Sequence, residues 1–199
     1  MTAPDPLAPV MAALSVSSAA SSDFDLNPAP RKGSSALRPA GVLVPFTMVG
    51  NRISVVLTKR SSRLKHHPGQ IAFPGGKQDA SDPSIEAAAL REAHEEIGLD
   101  PANVSLLGTL PPHETVTGFC VTPVLARVIA PFVPIPEPGE VDEVFQVPLD
   151  HVADTTRYGI QSRIWLGERR YYYAVPFGPY YIWGATARIL RGLAERMAR

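Results

Sequence analysis

The sequence predicts a single α/β domain, preceded by a short tail. Three observations carry that expectation: short β-branched runs alternate with segments of helical period, two of the helical segments are amphipathic, and turn residues separate them. Residues 1–37 are rich in Pro, Ala and Ser, hold Phe24 as their aromatic residue and show no sustained period, so they are expected to form a flexible tail; residues 38–199 are expected to form the domain. The runs 41–48 and 53–58 read as strands joined by a tight turn at Gly50 and Asn51, hence a hairpin. Further strands are expected at 70–73, 104–110, 119–130, 143–147, 162–166 and 170–175. One helix is expected over 83–97, with Asp82 as N-cap, Pro83 in the first turn where a missing N–H costs nothing, and Gly98 as its stop. A second spans 185–197, where Ala187, Ile189, Leu190, Leu193 and Met197 form an apolar stripe, and a short helix is expected after Pro148. The proline-rich stretch 131–139 reads as an extended loop, because each proline fixes its own φ and steers its predecessor away from helix.

Charge excludes several classes of partner. The 19 basic and 19 acidic side chains cancel, which argues against non-specific binding to nucleic acid and requires any polyanionic ligand to be met by a local cluster. The lone Cys120 excludes an intrachain disulfide or a multi-cysteine zinc site, and is expected to be a buried apolar thiol. No apolar run approaches the roughly 18 residues that span a bilayer, and no Lys or Arg precedes Arg31 as a secretory leader would need. A cytoplasmic protein with a small-molecule substrate and no membrane partner is expected; the sequence leaves a homodimer open.

The chemistry lies on the first helix. Glu92, Glu95 and Glu96 stand at i, i+3 and i+4 on one arc, in the last turn, where the helix dipole already presents negative charge. Like charges at these spacings cost a few tenths of a kcal/mol per pair, and Arg91 can neutralise only part of the set. A divalent cation supplies what is missing, and an all-oxygen carboxylate set suits Mg²⁺ or Mn²⁺ better than zinc. A solvated acidic face is the plain alternative, but just upstream lies Phe73-Pro74-Gly75-Gly76-Lys77, a strand end and glycine turn that bring bare backbone close to whatever the helix binds.

The whole segment, Gly76-x5-Asp82-x8-Arg91-Glu92-Ala93-His94-Glu95-Glu96-Ile97-Gly98-Leu99, resembles the Nudix box. Asp82 stands where that family usually has Glu, with one extra residue before Arg91. Both features are similar to the coenzyme A diphosphatases of the family, whose upstream signature is matched by Val56-Leu57-Thr58-Lys59-Arg60-Ser61, Lys65, Gly69, Ile71 and Phe73-Pro74-Gly75-Gly76. Lys65 replaces an arginine there and loses its bidentate fork. The resemblance implies a Nudix-type α/β/α sandwich with a mixed β-sheet, and Mg²⁺- or Mn²⁺-dependent hydrolysis of the CoA diphosphate to 3′,5′-ADP and 4′-phosphopantetheine. It implies Glu92 and Glu96 as the foremost metal ligands, Glu95 as a third, the Gly76 carbonyl as a further ligand, and Arg91 as an ion-pair partner that orients a glutamate.

The general base stays open between a box glutamate and a later loop acid among Glu137, Glu140, Asp142 and Glu143, with Glu140 and Glu143 as the loop candidates. The basic cluster Lys59, Arg60, Arg63 and Lys65, with Lys77 nearby, is the candidate contact for the 3′-phosphate. Two other readings share much of this pattern: a Nudix hydrolase of another nucleoside diphosphate derivative such as ADP-ribose, NADH or a dNTP, and a non-catalytic nucleotide-sensing Nudix module.

Overall fold

The computed structural model describes residues 5–27, 36–50 and 52–199. One sheet contains β1 (Ser21–Ser22), β2 (Arg38–Val49), β3 (Arg52–Arg60), β4 (Ile71–Ala72), β5 (Gly75–Lys77), β6 (Val104–Thr109), β7 (His113–Glu114), β8 (Phe119–Val128) and β9 (Val141–Pro148). The helices are α1 (Ala8–Leu14), α2 (Ile85–Ile97), α3 (Leu149–Ala153) and α4 (Gly184–Met197); β10 (Gly159–Trp165) and β11 (Glu168–Ala174) form a separate antiparallel ribbon. The sheet is mixed because β2 runs parallel to β8 on one side and antiparallel to β3 and β5 on the other. The expected hairpin forms with Val49 opposite Arg52 and Gly50 at φ 60°, while Asn51 lies outside the described residues.

The expected α/β/α sandwich is borne out. On one face Ala89, Ala93 and Ile97 of α2 pack with Leu43, Val56, Val124 and Ala126. On the other, α1, α3 and α4 cover Val44, Phe46, Leu57, Leu125 and Val147. Alternate residues of β2, β3 and β8 thus feed opposite clusters, as the two-residue period of a strand requires. Cys120, expected to be buried, is half-buried.

Three sequence expectations are corrected. The strand expected at 70–73 is the two-residue β4, and a strand not expected, β5, follows it, because the segment leaves β3 after Ala72 and joins β2 at Gly75, opposite Val42. Helix α2 starts at Ile85, capped by the Ser84 hydroxyl, which accepts the Ala87 N–H at 3.2 Å; Asp82 and Pro83 precede the cap. Its stop at Gly98, φ 68°, is as expected.

The largest correction concerns the tail. Residues 5–27 carry α1, whose Leu7, Val10 and Ala13 are buried in the same cluster as Leu190 and Leu193 of α4. Farther along, His113 is fully buried between the Ser21 hydroxyl, 2.9 Å from Nδ1, and the Asp23 carboxylate, 3.2 Å from Nε2. A seven-residue helix is too short to hold itself in water, so its periodicity in sequence is faint and its stability comes from the surface it covers. Residues 1–4 and 28–35 of the expected tail lie outside the described residues. Replacing a buried leucine by alanine costs about 2–5 kcal/mol. Leu7→Ala should therefore lower the denaturation midpoint by several degrees, whereas a free tail would leave a thermal melt unchanged.

Candidate active site

Helix α2 approaches the sheet closely because small residues meet there. A Cβ on Gly41 of β2 would lie 2.4 Å from the Ile85 carbonyl oxygen, and one on Gly76 of β5 would lie 2.5 Å from the Glu92 carboxyl carbon. The Glu92 carboxylate therefore rests on the bare backbone of β5. One turn on, Glu96 is 3% exposed. Its Oε2 accepts the Gly75 N–H at 3.0 Å, and its Oε1 lies 3.6 Å from Arg60 Nη1.

Burial pushes the Glu96 carboxyl up to about 7, although the Gly75 N–H and Arg60 favour its ionised form; the neighbouring charges of Glu92 and Glu140 push it the same way as burial. Glu92 is also raised, first by burial, with Glu95 and Glu140 adding to it against the opposing pull of Arg91. The arrangement is short of positive charge.

Arg91 organises the rim. Its Nε and Nη2 donate to the two Asp82 oxygens at 3.0 and 2.9 Å, and Nη1 donates to Glu92 and Glu95, each at 2.9 Å. Nη2 also reaches the Lys77 carbonyl at 3.3 Å, which ties the helix to β5. The Asp82 hydrogen bond heads the causes that push the Arg91 guanidinium further up, so it stays charged. Asp82, singled out in sequence as a cap and box position, is thus the anchor of Arg91. It sits in a turn closed by its own N–H to the Asp79 carbonyl at 3.0 Å, and the extra residue before Arg91 is accommodated ahead of the helix.

The remaining candidates divide. Glu95 is exposed and turned to Arg91, away from Glu96. Glu140 is exposed on the loop before β9, close enough for its charge to raise both Glu92 and Glu96. Glu143 lies elsewhere: it accepts a hydrogen bond from the Tyr180 hydroxyl, and the Tyr180 ring stacks on Phe145 at 3.5 Å within the cluster under α4. Strand alternation explains the separation, since Glu143, Phe145 and Val147 of β9 point to the face opposite α2.

Among the basic candidates, Arg60 reaches back to Glu96, and Lys77 Nζ pairs with Asp79 at 3.5 Å. Lys59 stands on β3 beside Glu143 in register. Arg63 and Lys65 are exposed on the loop after β3. That loop is fixed beside Glu140, because the Ser61 N–H donates to the Glu140 carbonyl at 2.8 Å and the Ser62 N–H to Asp142 at 2.9 Å. The proline-rich loop, unassigned from sequence, docks on the end of α2: Ile135 N–H donates to the Ile97 carbonyl at 3.0 Å and Glu137 N–H to the Glu96 carbonyl at 2.9 Å. It satisfies carbonyls that the helix end leaves open and sets Glu140 against the box.

A sequence model of the NUDIX domain matches residues 37–165, a span that holds Arg60, the glycines of β5, α2 and Glu140. The chain belongs to the Nudix family. It is 41% identical over 165 residues to a protein of Enterobacter sp. named "Uncharacterized Nudix hydrolase NudL", covering 79% of this chain and 81% of that one. A Pectobacterium atrosepticum protein of the same name is 42% identical over 161 residues, covering 81% and 83%. Among solved structures, the Nudix hydrolase RenU from M. smegmatis aligns with a TM-score of 0.50 at 29% identity, over 61% of this chain and 76% of that one. A MutT/nudix family protein from Enterococcus faecalis, 16% identical, shares the fold at a TM-score of 0.53 over 83% of this chain and 64% of that one. The Nudix box accordingly runs from Gly76 to Leu99.

The donor chemistry fits a hard divalent cation: mutually repelling carboxylates on the buried Glu96 and the half-buried Glu92, with glycine backbone beside them. Among the described residues no three His, Cys, Asp or Glu side chains are grouped closely enough to hold a metal ion on their own.

A pH dependence follows. Unfolded, Glu96 ionises near the ordinary glutamate value of about 4.3. In the fold it keeps its proton up to about pH 7. Between those values the unfolded chain holds fewer protons, so the metal-free protein loses stability as pH rises from about 4.5 through 7. In EDTA, Glu96→Gln should melt several degrees above the parent at pH 8 and close to it at pH 5. An equal offset at both values would show that Glu96 carries no such shift.

Proposed function

We propose that this Nudix hydrolase cleaves the diphosphate bond of coenzyme A or its derivatives, releasing 3′,5′-ADP and 4′-phosphopantetheine. One observation carries the reading: the Ser61–Glu140 hydrogen bond holds the basic loop bearing Arg63 and Lys65 against the acidic centre of Glu92, Glu96 and Glu140. A substrate with a diphosphate and a separate phosphomonoester asks for such a pairing. The likeness of 56–76 to the CoA diphosphatase signature supports the same choice.

Mg²⁺ or Mn²⁺ would be held by Glu92 and Glu96, with Gly76 contributing its carbonyl, and would supply charge neutralisation at the diphosphate and a more acidic water. Arg91 holds Glu92 in place from its Asp82 anchor. Glu140 serves as general base: it takes one proton from a water whose oxygen attacks phosphorus. The bridging P–O bond breaks, its electron pair leaves with the departing phosphate, and one water is consumed per turnover. Glu140 suits this role because it is exposed toward the box, whereas Glu143 is committed to Tyr180. Arg63 and Lys65 meet the 3′-phosphate, and Arg60, already beside Glu96, faces the diphosphate end.

Two measurements test this reading. Purified protein given Mg²⁺ or Mn²⁺ should cleave CoA faster than ADP-ribose, NADH or dNTPs, with products identified by mass. Dephospho-CoA should lose about ten- to a hundredfold in kcat/KM, the worth of one charge-assisted contact of about 1.5–3 kcal/mol. Faster turnover of ADP-ribose would overturn the substrate. Glu140→Gln should lower kcat by about 10² to 10⁴ while Glu143→Gln leaves it within a few fold; the reverse order would move the base to β9.

A further inference from the structure

On the sheet face away from α2, a groove of about 370 Å³ opens between the N-terminal segment and α4. Its walls include Ser18 and Ala20 from that segment, Leu110 beyond β6, and Arg188, Arg196 and Arg199 from α4 and the residues after it. The reaction described above uses none of them.

The arginines are not equivalent. Arg188 is spoken for: its Nε donates to Asp25 at 2.9 Å. Glu195, the other acid of the groove, is held by Arg191 at 2.8 Å. The two carboxylates on the walls are thus already matched by cations. Arg196 differs, being 8% exposed. Its guanidinium donates to the Val16 carbonyl at 2.8 Å and to the Ser18 hydroxyl, both neutral. Burial, and then the nearby positive charge of Arg199, push its pKa down from the ordinary arginine value. Among the described residues neither Arg196 nor Arg199 forms an ion pair with a carboxylate.

A buried cation bonded to neutral acceptors, with a second cation beside it, costs desolvation and repulsion that an anion would relieve. Two guanidinium groups offer planar forks that bind phosphate oxygens in pairs. The groove is larger than a lone phosphate and near the small end of ligand sites, about 300–1,000 Å³. We propose that it binds the phosphate group of a small phosphomonoester, between Arg196 and Arg199, at a site separate from the Nudix box.

The test is run in EDTA, where the box glutamates repel anions, at ionic strength held constant with chloride. Inorganic phosphate and ribose 5-phosphate are titrated calorimetrically, with citrate as a carboxylate comparison. Wild-type protein should bind both phosphates, the ester more tightly, and citrate more weakly than either. Arg199→Gln removes an exposed cation and should weaken phosphate about tenfold, one charge-assisted contact. Gly192→Leu fills the groove while keeping every arginine. A Cβ there meets its nearest neighbour, the flexible end of Arg188, at 3.7 Å, so the variant should fold yet lose the ester. Glu92→Gln should bind like wild type. The proposal fails if wild-type protein binds neither phosphate, if citrate binds best, if Arg199→Gln and Gly192→Leu bind unchanged, or if Glu92→Gln alone alters affinity and so places the anion in the box.

Discussion

The close approach of α2 to β2 and β5 is the constraint on which the site depends. Gly41 admits the first turn of the helix and Gly76 admits the Glu92 carboxylate, so a side chain at either position would lift the helix from the strands. Alanines at 89 and 93 continue the same surface into the core. Helix and sheet meet with almost no side-chain layer between them, and Glu96 is thereby pressed against the Gly75 N–H. The Gly75 N–H that Glu96 accepts is available only because β5 leaves it on that side. The geometry of the candidate site is a consequence of packing distance.

That packing has an electrostatic cost, and the surroundings are arranged to contain it. Glu96 loses hydration and gains one N–H and a distant guanidinium, too little to keep its carboxyl in the ordinary range. Arg91 neutralises Glu92 and Glu95 but is shared with Asp82, so the acidic rim keeps an excess of negative charge. The proline-rich loop then adds Glu140 to this excess while its N–H groups close the end of α2. A loop that stabilises the helix end thus also sets a carboxylate beside it. Backbone already fixed at several φ values loses less entropy on docking, which suits proline to the task.

Much of this was legible in the sequence, and the exceptions share a cause. The box register placed Arg91, Glu92 and Glu96 together, and the hairpin, α2 and α4 followed from local turn and cap residues and from period. What failed was long-range. The division of 70–77 between β3 and β2 is a choice between two partner strands, which no local pattern encodes. Glu143 and Glu140 are three residues apart in one acidic run, yet one is a strand residue facing α4 and the other a loop residue beside the box. Asp82 looked like a cap because Asp is a good cap; Ser84, nearer the helix, took the role and left Asp82 for Arg91. The segment 5–27 was misread because its composition suits disorder, while its order comes from three buried side chains and a buried histidine.

The net charge of zero conceals local imbalances that matter more than the sum. Negative charge gathers on the α2 side, where Glu92, Glu96 and Glu140 outnumber the cations that reach them. On the α4 side Arg188 and Arg191 find carboxylates, whereas Arg196 finds neutral acceptors. The sheet between them is apolar on both faces and excludes water, so neither set can relax toward the other. Under the two proposals, each face draws its balancing ion from solution, a cation on one side and an anion on the other. Removing charge from one face should change ion binding there and leave the opposite face nearly unaffected, since pairs separated by the sheet share no partner.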